Sequence, residues 1–222
     1  MAHLLKSETE KFLIELEKFG GLNNVPKLYH HLKSIEGLKD SSFEVFYFDK
    51  KPELEIYLDN AFKAIKDSEV KEIDEVTGDA DFSKNPSRQL LYQDLIKQYG
   101  VKMRMLMKID GWTQQNAEIL HSLGVEVAHT DENYHFGILA NNLMFTLQRT
   151  PISSEVKKII GESQKPEEVL YSMAVTSHSD VVKYASRKFD DLWKTGVPYE
   201  KAKINLEDFK NNHKLIARHF EQ

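Results

Sequence analysis

The chain has 222 residues, 41% of them hydrophobic, with 30 basic against 35 acidic side chains and a net charge of −5. That apolar content suits a packed core and excludes a disordered chain; the mild acidity argues against a dedicated nucleic-acid binder, which shows a basic face or balance. There is no cysteine, so disulfides, thiolate nucleophiles and zinc–thiolate sites are excluded. Charges interrupt the N-terminal MAHLLKSETEKFLIELEKFGG every few residues. No run approaches the roughly 18 apolar residues of a membrane span. A soluble, cytoplasmic protein without membrane association is expected.

Leu5, Phe12, Leu13, Leu16 and Phe19 recur at helical spacing before Gly20-Gly21, and Leu28, Tyr29 and Leu32 share a second short helical face. Residues 1–40 read as a helical arm. Aromatic-rich Phe43–Phe48 is a short strand. After Pro52, the stripe Leu54, Tyr57, Leu58, Ala61, Phe62 and Ile65 is a helix. Val70–Thr77 is a modest strand, residues 78–87 a polar loop, and Pro86 opens a helix that Gly100 closes. In Val101–Ile109 the residues Val101, Met103, Met105, Met107 and Ile109 alternate with Lys102, Arg104, Leu106 and Lys108. This is the strongest strand pattern in the chain, with the methionine face turned inward.

Thr113 suits the N-cap of a helix carrying Ile119, Leu120 and Leu123, and Val125–His129 follows Gly124 as a strand. Strand, helix, glycine and strand within about 30 residues make a βαβ unit. Tyr134–Arg149 reads as a strand pair and Val169–Val175 as a further strand. A helix capped near Ser179 carries Val182, Ala185, Phe189, Leu192 and Trp193 up to Gly196. Leu206, Phe209, His213, Ile216 and Phe220 form a last amphipathic helix. The fold class expected is α/β: a mixed, largely parallel sheet of about six or seven strands sandwiched by helices. The organisation expected is an arm over 1–40, an α/β domain over 41–202 and a C-terminal helix over 203–222.

Several groups invite a chemical reading. Lys102, Arg104 and Lys108 share one strand face, an anion-binding face or, favoured, cations snorkelling at the sheet margin. The methionine stripe reads as core. Ser, His and Asp occur within Thr176–Asp180, but adjacent residues cannot form a triad, whose members converge from distant segments. His129, His135 and His178 all fall at strand ends, where α/β sheets face ligands. No Asp/Glu–His pair sits at a recognised ligand spacing, so no metal and no cofactor is expected. Acidic Glu69–Asp81 lacks the regular spacing of a calcium loop and reads as a solvated strand edge and loop.

His135 closes a polar turn and enters a strand, and in this it resembles the phospholipase D motif His-x-Lys-x4-Asp. On that motif His135 matches, the Lys position is Gly137 and the Asp position is Asn142. Val101–Ile109, Leu123–Val127, His135–Phe136, Met173–Val175 and the stretch from Leu192 to Pro198 together resemble the phospholipase D-like sensor domains of archaeal signalling proteins. The effector domain of sugar-sensing regulators of the TrmB type is one of these. The likeness runs over roughly residues 43–202 and implies a phospholipase D-like fold that serves as a non-catalytic sensor or interaction domain in signalling or transcriptional regulation. It also implies a small anionic or sugar-like ligand, a protein partner and a homodimer, since active members need a second motif copy or a second chain. His135, Arg104, Lys108, Asn142, His129 and His178 are the ligand-binding candidates. Gly137 offers no cation for a phosphate charge and Asn142 no carboxylate to orient an imidazole, so catalysis is not expected. The alternative is a phosphodiesterase active as a dimer. Residues 1–40 are too short for the winged helix-turn-helix of those regulators, and direct nucleic-acid binding is not expected.

Overall fold

The alternation around Met103, Met105 and Met107 forms a strand with those three side chains buried, at 2%, 1% and 0% exposure. The computed structural model describes residues 43–48, 51–151, 169–203 and 207. The expected arm over 1–40, the weakly patterned 152–168 and nearly all of the expected C-terminal helix lie outside the described residues. The elements are β1 (Phe43–Phe48), α1 (Lys51–Ala64), β2 (Glu72–Thr77), α2 (Pro86–Lys97), β3 (Lys102–Met107), α3 (Gln114–Leu123), β4 (Glu126–His129), β5 (Phe136–Leu139), β6 (Leu143–Pro151), β7 (Val169–Thr176), α4 (Ser179–Thr195) and β8 (Val197–Pro198). The α/β class with a mixed sheet is the one expected. Among the described residues there are eight strands, because Val197–Pro198, just past the glycine that follows α4, pairs with β4.

The described residues divide into two compact units, one drawn from Met1–Val70 and Tyr134–Ser186, the other from Lys71–Asn133 and Arg187–Gln222. In the first, the strand order is β1-β7-β6-β5 and every pair is antiparallel. The β5–β6 hairpin turns through Ala140 and Asn141, both at positive φ, and the Asn142 amide donates to the Leu139 carbonyl at 3.1 Å. The helical stripe of α1 buries Leu54, Leu58 and Phe62, and Phe62 meets Phe145 edge-on at 6.2 Å. Phe136, Met173, Ala174, Val181, Val182 and Ala185 complete this unit's core.

In the second unit β2, β3 and β4 run parallel and β8 closes the set antiparallel to β4. Parallel neighbours on both sides bury β3 beyond the simple alternation: Leu106, on the expected polar face, is fully buried. The helix α2 starts as read, with Pro86 in its first turn and the Asn85 side chain accepting from the Ser87 amide. The helix α3 starts at the expected residue but without the expected side-chain bond. Thr113 stands at the N-cap, yet its hydroxyl donates to the Lys108 carbonyl at 2.6 Å and caps no amide. In the turn before the helix Asp110 accepts from the amides of Trp112 and Thr113 at 2.8 and 3.1 Å. Gly124 ends α3 at φ +98°, where a side chain would also press on Ile96, so glycine is required twice over.

Truncation in the β3 core should be costly because the site is enclosed on both sides. Met105→Ala is expected to lose about 2–5 kcal/mol of unfolding free energy, read from urea denaturation; a loss within error of zero would show that β3 is not a central strand.

Candidate functional site

Register and side-chain volume decide the geometry at His135. Gly137 stands directly opposite Phe145 in the β5–β6 ladder. The Phe145 ring lies so close over the glycine that a side chain at 137 would run into its Cζ and Cε1. Phe145 is itself buried and backed by Phe62. The place where the motif carries a lysine is therefore filled by an apolar ring. His135 is half-buried just before β5, and its carbonyl accepts from the Leu147 amide at 3.1 Å and the Thr146 hydroxyl at 2.9 Å. Asn142 is exposed at the turn of the same hairpin. The length of β5, about 13 Å at 3.3 Å per residue, separates the two, so they are not brought together.

His178 lies two residues beyond Thr176, which pairs with Met144 near the hairpin turn, while His135 is level with Leu147 and Met173. Among the described residues of this unit, His135 and His178 thus fall toward opposite ends of β5. His178 serves the start of α4: its amide donates to Thr176 Oγ1 and its carbonyl accepts from the Val182 amide. Its Nδ1 is enclosed without a hydrogen-bond partner among the described residues.

In the second unit Arg104 is fully engaged. Its Nε and one terminal nitrogen form a fork on Asp74 at 2.7 and 2.6 Å, and the same nitrogen lies 3.5 Å from both Glu72 and Asp190. The guanidinium is also 4.9 Å from the centre of the Phe189 ring and 5.6 Å from that of Trp193. The fork holds Arg104 above its ordinary value against the opposing effect of burial. Burial pushes Asp74 up, and the Arg104 fork works against that push. This arrangement is a structural ion pair walled by aromatics, with one edge of the guanidinium taken up by carboxylates. Lys108 is 60% exposed, 3.9 Å from Asp110. Burial pushes Asp110 up, but the bonds from Trp112 and Thr113, with the Lys108 charge, outweigh it and hold its carboxyl below the usual aspartate value. His129 Nδ1 accepts from the Ile109 amide at 2.9 Å, which leaves the proton of the neutral ring on Nε2, 3.5 Å from Asp131. No group of three or more potential metal ligands converges among the described residues.

The acidic stretch departs from its reading as a solvated edge. Asp74 and Glu75 are 3% and 5% exposed, Asp74 held in the Arg104 fork and Glu75 on the opposite face within reach of the Arg88 charge. Their partners, Arg104 and Arg88, lie on other elements. Asp190, Phe189 and Trp193 were legible only as helix positions. Nothing in local spacing marks any of these as a cluster.

No protein-family model matches the sequence, and no curated protein sequence does. Among solved structures, the chain is similar to Nuc of Salmonella typhimurium, a phospholipase D family member, at 12% identity and TM-score 0.49, covering 72% of this chain and 99% of that one. It is similar to NucT of Helicobacter pylori at 11% identity and TM-score 0.46, covering 71% and 99%. TrmBL2, an archaeal chromatin protein, follows at 16% identity and TM-score 0.43, covering 87% and 67%. At these scores the likenesses decide neither family nor function.

Substitutions at two positions probe this geometry. Gly137→Ala should destabilise by about 1–3 kcal/mol, because the Phe145 ring must move; a thermal midpoint equal to wild type would show that the ring yields freely. Arg104→Ala should cost about 3–5 kcal/mol by stranding Asp74, and Arg104→Lys should recover only part, since a lysine cannot form the fork. Full recovery by lysine in urea denaturation would contradict the fork's role.

Proposed function

We propose that this chain is a non-catalytic ligand-sensing or protein-interaction module of phospholipase D-like fold, acting in signalling or transcriptional regulation. The observation that carries this reading is the Phe145 ring packed on Gly137. Phosphoryl transfer through a histidine needs a cation for the developing phosphate charge and a group that orients the imidazole. Here the first is replaced by a phenyl ring, and Asn142 lies at the far end of the hairpin. The commitment of Arg104 to three carboxylates removes another cation.

The surface supports a binding role better than a catalytic one. Trp112 is 91% exposed in the turn between β3 and α3, and exposed Lys108 precedes it by four residues. An aromatic face and a cation in one turn suit a small anionic or sugar-like ligand or a protein partner. With a single motif copy, the chain is proposed to work as a homodimer. Light scattering should then return about twice the 25.8 kDa of one chain; a single-chain mass at high concentration would contradict the dimer.

The purified protein should not hydrolyse a chromogenic phosphodiester above background, with or without chelator, and His135→Ala should leave both that rate and the thermal midpoint unchanged. Cleavage by the wild type that His135→Ala abolishes would establish the dimeric phosphodiesterase reading instead.

A further inference from the structure

The second unit buries a second acid–base pair that no step above uses. Glu75 lies in β2 opposite Met105, on the face away from the Arg104 fork. Its Oε2 is enclosed without a hydrogen-bond partner among the described residues. Arg88 in α2, 2% exposed, is the charge that acts on it, with its guanidinium 5.6 Å from the centre of the Phe82 ring and 5.8 Å from that of Tyr92. Ser83 and Asn116, buried in the 3-10 turn Asp81–Lys84 and in α3, each carry an enclosed oxygen without a hydrogen-bond partner among the described residues. Asp74, the adjacent carboxylate, points to the opposite face, where the Arg104 fork binds it. A carboxylate in these surroundings is stable only when neutral or when a partner satisfies both oxygens.

We propose that Glu75 is a proton-controlled element: neutral, it lets β2 and α2 pack closely, and loss of its proton loosens them. Burial raises Glu75 from 4.5 to about 7, the Arg88 charge opposing the rise. A raised acid binds its proton more tightly folded than unfolded. Its contribution to stability is thus complete below about pH 4.5, falls as pH rises, and is lost above about 7. The unit would therefore open more readily across the neutral range than in mild acid, a response suited to a sensor of pH or of a ligand that returns a proton to Glu75.

Two measurements on the whole chain test this. Carbon-13 NMR of the glutamate carboxyls should show one resonance titrating near 7 that Glu75→Gln removes; every glutamate titrating near its ordinary value would overturn the proposal. Hydrogen exchange of the β2 and α2 amides, corrected for intrinsic rates, should show the opening equilibrium rising up to roughly 30-fold between about pH 5.5 and 8. Glu75→Gln, an isostere of the neutral acid, should flatten that rise, and a parallel rise in the variant would also overturn it. If Glu75→Gln fails to fold, the wild-type carboxyl titration alone decides.

Discussion

The fork between Arg104 and Asp74 is the interaction on which the second unit depends. It joins β3 to β2 across 30 residues of sequence and, through Asp190, Phe189 and Trp193, fastens the last turns of α4 over that strand pair. Stacking of Phe189 on Trp193 at 5.7 Å builds the wall that shields the pair. With Asp74 almost sealed, each charge has the other as its necessary partner, so neither residue is free to change alone. The same engagement has a functional side: a guanidinium already matched to carboxylates on its fork edge makes a poor receptor for an incoming anion.

In the first unit volume, in place of charge, shapes the surroundings of the candidate site. Antiparallel register sets Phe145 across from Gly137, and Phe62 from α1 backs the ring. The glycine is needed for the close approach, and the ring makes the approach part of the core. Placing a lysine at 137 would require repacking Phe145 and Phe62 together. The strand that follows His135 packs as an element of an apolar sheet, and the His135 carbonyl serves its pairing with β6.

Much of this fold was legible in the order of residues. The methionine alternation of β3, the Pro86 start of α2, the glycine that ends α3 and the apolar stripe of α4 each act through their immediate neighbours. What could not be read depends on partners distant in sequence. Glu72, Asp74 and Glu75 in β2 resemble a wetted edge until Arg104 and Arg88 are placed beside them. The use of His129 Nδ1 by the Ile109 amide follows from how two strand ends meet, which no spacing records. That position 137 holds glycine and no cation was visible as an identity, but the filling of that space by Phe145 required the register. Thr113 stands at the head of α3 as its position suggests, but its hydroxyl goes to the Lys108 carbonyl, which only the path of the preceding turn brings beside it.

The proposal on which the functional reading turns is that His135 does not act as a nucleophile toward phosphorus. Its most direct test is intact-mass spectrometry of the protein quenched during incubation with excess phosphodiester. The account predicts a single unmodified mass at every time point. A transient mass increase of one phosphoryl-containing adduct, located on His135 by peptide mapping, would contradict it.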